Sequence, residues 1–193
     1  MSLKLSANNV IEALREISND NQIQKKIVDI SEEIINNSQL GKFSLIFGNG
    51  GSAADAQHFA AELVCTYKSR QRNPYKAIAL TTDTSIITAW ANDFEYESIF
   101  KRQLEAFGQS AGFAIGLSTS GKSKNVINAL KYAKENDIST CLITGENEVS
   151  LDEYDYVIKV PSKETTTIQT VTQVIYHSIC EQLEPNEIPF NEK

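Results

Sequence analysis

The chain has little of what marks the specialised classes of protein. Its 193 residues include one Met, one Trp, two His, three Cys and four Pro. Cys65, Cys141 and Cys180 stand far apart, so they form neither a disulfide framework nor a CxxC metal knuckle. No internal repeat or low-complexity linker interrupts the chain. No apolar run approaches bilayer length, and the Met1–Asn9 start lacks the apolar core of a signal peptide. Lys and Arg number 18 against 25 Asp and Glu, a net charge of −7. That balance leaves no basic surplus to displace counterions from nucleic acid. These absences point to a cytoplasmic protein whose partners include neither membrane nor nucleic acid. What remains is ordinary globular composition, 41% hydrophobic and 22% charged. The length suits one compact domain over 1–193 and is short for two.

Hydrophobic spacing divides that domain. Val10, Ile11, Leu14 and Ile17, then Ile27, Ile30 and Ile34, recur at helical intervals and predict a helical segment over about 7–36. Asn19-Asp20-Asn21 predicts a break between two helices. An α/β core follows over about 42–183. Its short apolar runs are Phe43–Phe47, Tyr75–Leu80, Phe113–Leu117, Thr140–Ile143 and Tyr156–Val160, alternating with helical stretches. Strands spaced in this way imply βαβ crossovers. The expected fold is α/β: a doubly wound, mainly parallel five-stranded sheet flanked by helices, with the N-terminal helices added. A last helix over about Thr165–Leu183 should pack on the domain before a polar tail containing Pro185 and Pro189.

With only two histidines, their settings are informative. His58 and Glu62 stand four residues apart, on one face of a helix that follows the glycine-rich turn Gly48-Asn49-Gly50-Gly51-Ser52. Gln169 and His177 are eight residues apart, a rotation of about 80° on an ideal helix, and so share a broad face. An imidazole and a carboxylate facing a carboxamide and an imidazole would make a divalent-metal or proton-transfer site. The plainer alternative is two partly buried histidines with ordinary hydrogen bonds.

A second turn, Ser118-Thr119-Ser120-Gly121-Lys122-Ser123, follows another strand. Ligands bind doubly wound sheets at the carboxyl ends of the strands, so both turns should lie on one rim. With Gly116, the segment fits the G-x-x-x-x-G-K-[ST] pattern of a nucleotide-binding P-loop. Against that reading, Gly116 sits inside an apolar run, and no clear apolar strand ends in the acid that would organise magnesium. Nor would an NTPase explain the two histidine pairs. Hydroxyls of Ser118, Thr119, Ser120 and Ser123, with N–H groups of the next helix, would instead cradle a phosphate monoester. A merely capped helix needs fewer hydroxyls than these.

Together these motifs, with Ala91-Asn92-Asp93, resemble the sugar isomerase (SIS) domain, and more narrowly the phosphoheptose isomerases, from about Ile11 to Leu183. The resemblance implies an aldose–ketose isomerase that converts D-sedoheptulose 7-phosphate to D-glycero-D-manno-heptose 7-phosphate for bacterial lipopolysaccharide core or capsule. It implies that Asn49, Gly50, Gly51, Ser52, Asn92, Asp93 and Gln169 contact substrate along with Glu62, and that Ser118, Thr119, Ser120 and Ser123 hold its phosphate. His58, Glu62, Gln169 and His177 would match the family's zinc ligands, one zinc per subunit, with Glu62 and His177 as the acid/base pair. It also implies a homotetramer with active sites at subunit contacts. The alternative is a non-catalytic SIS module that binds a phosphosugar or a protein partner; adaptors of that kind lack the equivalent of His58. The chain departs from the family at Cys65-Thr66, where Gly-Arg is usual, and at Thr166, Thr167 and Thr170 around Gln169. The nearby Lys68, Arg70 and Arg72 could supply replacement charge, but read first as a solvated basic loop. Gln173, between Gln169 and His177, could stand in as a ligand or hydrogen-bond donor.

Overall fold

A computed structural model describes residues 2–184. The tail with Pro185 and Pro189 lies outside the described residues. The N-terminal segment forms two helices, α1 (Leu3–Asn19) and α2 (Asn21–Gln39). Asp20 makes the break, as its carboxylate accepts the N–H groups of Gln22 and Ile23 at 2.7 and 3.2 Å and so starts α2. Both helices outrun the predicted 7–36: α2 adds the polar Asn37, Ser38 and Gln39, and α1 adds Leu3–Ser6, whose two leucines are exposed and so stand outside the buried stripe.

Five strands follow: β1 (Phe43–Gly48), β2 (Ala77–Ala79), β3 (Ala111–Ser118), β4 (Ser139–Thr144) and β5 (Tyr156–Lys159). They form one sheet in the order β2-β1-β3-β4-β5, and every pairing is parallel. Between them run α3 (Gly51–Val64), α4 (Thr84–Asp93), α5 (Ile99–Phe107) and α6 (Lys124–Glu135), and α7 (Thr165–Gln182) closes the fold. Strand β2 is shorter than the apolar run predicts. Just past Pro74, the N–H of Tyr75 goes to the carbonyl of Leu63 at the end of α3 and is lost to strand pairing.

Alternation along the strands sends side chains to two cores. Ile46, Ile115, Leu117 and Ile143 face α2, α3 and α7, while Leu45, Phe47, Ala114 and Leu142 face α5 and α6. Gly116 is a buried strand position against α6, where a Cβ would stand 2.8 Å from Val126 and Leu130 side-chain carbons. It therefore belongs to the sheet and not to a phosphate-wrapping loop. The chain leaves β1 for β2 on one side and returns to β3 on the other, which puts the reversal of strand order between β1 and β3. The turns after these two strands meet there. Among the described residues no helix is long and apolar enough to cross a membrane.

Candidate active site

At that reversal lies a cavity of about 290 Å³, lined by Asn49, Gly50, Gly51, Ser52, Leu117, Ser118, Thr119, Ser123, Thr165 and Gln169. Three helices begin against it. The residues that precede α3, α6 and α7 (Gly50, Ser123 and Glu164) make no side-chain cap to their helices. First-turn N–H groups have no partner within the helix, and here they carry the positive ends of three helix dipoles toward one space. Gly50 takes φ 55°, a conformation that L side chains rarely adopt. At Gly51 a Cβ would come within 2.4 Å of the Gln169 carboxamide. The Ser118 hydroxyl donates to the Ser123 hydroxyl at 3.1 Å. Asn49 and Asn125 exchange carboxamide hydrogen bonds of 2.8 Å each way, which ties the two turns together, and the Tyr96 hydroxyl donates to Asn49 Oδ1 at 2.9 Å. The cavity is thus built of dipoles and hydroxyls, the surroundings a phosphate accepts at a helix N-terminus.

Helices α3 and α7 run parallel from this cavity in a fixed register. Gly51 meets Gln169; one turn on, the Gln173 amide donates to Asp55 Oδ1 at 3.2 Å; further on, the Tyr176 hydroxyl lies 2.8 Å from His58 Nδ1. At that end His58 Nε2 sits 3.0 Å from Glu62 Oε1, and the His58 and His177 rings are 5.1 Å apart. Ligand atoms of His58, Glu62 and His177 all lie within 4.8 Å of one another. Tyr67 stacks on His177 with centroids 5.7 Å apart. Burial, and then the neighbouring His58 imidazole, hold the His177 ring below the usual histidine range, against an opposing pull from Glu62. The neutral imidazole favoured in this way is the form that binds metal. Two imidazoles and one carboxylate this close, with His58 open to solvent, are a donor set that suits a zinc-type ion with room for a further ligand.

Other residues expected at the site lie elsewhere. Ser120 is exposed and does not line the cavity; its hydroxyl accepts the Lys122 N–H at 3.1 Å. Asn92 and Asp93 lie at the exposed end of α4 and bond to each other at 2.8 Å. Gln169 lines the cavity, two turns of α7 before His177. Gln173 serves Asp55, whose carboxyl is raised above the usual range by burial, against lowering by that amide and by His58. Arg72 is no part of a solvated loop. Its side chain is 5% exposed and paired with Glu184, itself 3% exposed. Tyr96, Asn125 and Tyr176 escape a motif search, because each is an ordinary core or loop residue by its neighbours in sequence.

The SIS domain family model matches residues 7–145. The phosphoheptose isomerase of Aquifex aeolicus is 47% identical over 161 residues, 83% of this chain and 84% of the relative. A solved phosphoheptose isomerase from Francisella tularensis superposes with TM-score 0.85 at 28% identity, covering 94% of this chain and 95% of that one. Another from Neisseria gonorrhoeae gives 0.78 at 33% identity, covering 93% and 96%. Fold and site together are those of a SIS-domain sugar-phosphate isomerase. Within that class, the chain belongs to the phosphoheptose isomerase family.

Proposed function

We propose that the chain, a single SIS domain, interconverts D-sedoheptulose 7-phosphate and D-glycero-D-manno-heptose 7-phosphate, and so supplies heptose for a bacterial surface polysaccharide. The observation that supports this is the placing of the cavity and the His58–Glu62–His177 cluster at two ends of one in-register helix pair. Seven residues of α3 from Gly51 to His58 rise about 10 Å. That is the reach of an extended seven-carbon sugar from its carbonyl end to its phosphorus.

In this reading the phosphate sits among the first-turn N–H groups of α3, α6 and α7 and the hydroxyls of Ser118, Thr119 and Ser123, with Ser120 at the mouth. Asn49, Ser52 and Gln169 bind the sugar next to it, and Asn92 and Asp93 are reserved for its hydroxyls. Glu62 removes a proton from C1 of the ketose and delivers one to C2, while His177 moves the proton between the two oxygens. His58, Glu62 and His177 would hold zinc, and when bound the ion polarises the carbonyl and stabilises the enediolate charge. Because Glu62 pairs with His58, its second oxygen is the one free to act as base.

The assembly in this reading is a homotetramer. Val28 and Val174 are 40% and 42% exposed, and they flank a groove of about 570 Å³ that also holds Tyr67 and His177. Exposed valines beside a catalytic residue, in a groove lined also by polar side chains such as Gln24, Ser178 and Glu181, are what a neighbouring subunit would cover. The decisive experiment offers sedoheptulose 7-phosphate to the native protein and follows aldose product, with and without a strong chelator. Steady aldose formation that is lost in chelator and restored by zinc supports the reading. No aldose product from zinc-loaded protein defeats it.

A further inference from the structure

Tyr176 touches the cluster and takes no part in the reaction just described. Its side chain is fully buried, its ring stacks on Phe59 with centroids 5.2 Å apart, and its hydroxyl lies 2.8 Å from His58 Nδ1. The other ring nitrogen, Nε2, lies 3.0 Å from Glu62 Oε1. An ionised carboxylate only accepts, so Nε2 carries the proton. A neutral imidazole then has its lone pair on Nδ1, and the Tyr176 hydroxyl donates to it. Asp55, one turn earlier on α3, is taken up by Gln173.

We propose that Tyr176 is a positioning residue that fixes the orientation of the His58 ring, keeping Nε2 aimed at Glu62 and His177. Its bearing on metal affinity rests on the proposed metal reading of that trio; its bearing on the ring's orientation does not. A hydroxyl both donates and accepts, so one oxygen serves two states of the ring. Without metal it donates to Nδ1. With an ion held by His58, Glu62 and His177, the ring proton would sit on Nδ1, and that N–H would donate to the same hydroxyl oxygen. The buried stack on Phe59 holds that oxygen in place throughout. A partner of this kind behind a histidine ligand tunes affinity as well as aim.

The test is Tyr176→Phe, which keeps the ring and its stack and removes one oxygen. The chain has two histidines, so ring-nitrogen NMR separates them. In the metal-free native protein, above the histidine titration range, His58 is expected to carry its proton on Nε2. In the variant Glu62 still holds the proton on Nε2 but Nδ1 loses its donor, so the Nδ1 resonance should move toward that of an unbonded ring nitrogen, while the unfolding midpoint stays close to native. Zinc affinity, measured by competition with a chromogenic chelator, should fall about 10- to 100-fold. Unchanged His58 ring-nitrogen shifts in the Phe variant overturn the proposal, whatever its zinc affinity. If the native protein takes up no zinc, the metal reading fails, and the ring-nitrogen comparison alone still decides the role of Tyr176.

Discussion

Arg72 is the residue whose loss should cost the fold most outside its two cores. Its Nε donates to Glu184 Oε1 at 3.3 Å. Its terminal nitrogens donate to the carbonyls of Glu62 at 2.7 Å, Leu63 at 3.1 Å and Asn73 at 3.0 Å. Glu184 in turn accepts the N–H groups of Lys68 and Ser69 at 3.3 and 2.8 Å. The pair therefore ties the end of α3, which carries Glu62, to the end of α7, which carries His177. Removing one partner of a buried ion pair leaves an uncompensated charge and costs about 3–5 kcal/mol. For a chain of this size each kcal/mol moves the midpoint by about 2–4 °C, so Arg72→Met should lower Tm by about 6–20 °C. Thermal unfolding followed by circular dichroism measures this directly. The double variant Arg72→Met, Glu184→Gln should recover part of the loss, because no buried charge is then orphaned. A single variant within 2 °C of native, or a double variant lower than the single, would refute the argument.

Glu62→Gln should lower turnover about 100-fold or more with the fold intact, the usual scale for losing a general base; near-native turnover would remove Glu62 from proton transfer. Ser123→Ala should raise KM for the phosphorylated sugar and leave kcat nearly unchanged, since phosphate contacts persist from ground state to transition state; a matched fall in kcat would place the phosphate elsewhere. Asp155→Asn tests a pH dependence. Burial raises that carboxyl, but Lys134 and the hydroxyl and N–H of Thr140 outweigh it and hold its pKa below 3.8. A depressed carboxyl stabilises the fold above its unfolded pKa and loses that effect as pH falls through the folded one. The variant should thus melt lower than native at pH 7, and the gap should close as pH falls below 3.8; a gap constant with pH would refute it. Sedimentation at micromolar concentration should give a tetramer, and a stable monomer would count against shared active sites.

The sheet was legible because each strand is a compact apolar run, and the α1–α2 break because Asp20 advertises a cap. The His58–Glu62 pair was legible because four residues on one helix set their own geometry. What depends on two helices at once was not. Spacing along α7 grouped Gln169 with His177, whereas the register against α3 puts Gln169 at the cavity beside Gly51. Tyr176 reads as core from its neighbours, and only its approach to a residue 118 positions away gives it a polar task. Arg72 looks solvated among Lys68, Arg70 and Gln71, because its acidic partner stands 112 positions on. Long-range pairing of this kind leaves no local period to detect.

The departures from the family pattern bear on how a doubly charged phosphate is held by a chain of net charge −7. Around Gln169, this chain has threonines that bond within α7 or to its cap. The Thr170 hydroxyl donates to the Thr166 carbonyl at 2.9 Å, and the Thr167 hydroxyl to Glu164 at 3.4 Å. Glu164 itself is engaged by the Asn9 amide of α1 at 2.9 Å. None of the ten residues that line the cavity carries a charge. Lys122, in the turn itself, is exposed and does not line it, while Lys124 pairs with Glu97 at 2.8 Å. With the phosphate bound in this cavity as proposed, its attraction would come from the uncapped starts of α3, α6 and α7. Each supplies a partial positive charge of about one half at most. Dipoles fixed by the fold do not move to meet the ligand, and they are screened by salt less than exposed lysines would be. Phosphate affinity in this protein should accordingly change little with ionic strength, and inhibition by inorganic phosphate measured between low and high salt distinguishes it from a site held by surface cations. A steep loss of inhibition with salt would show that mobile side chains, and not the helix ends, hold the phosphate.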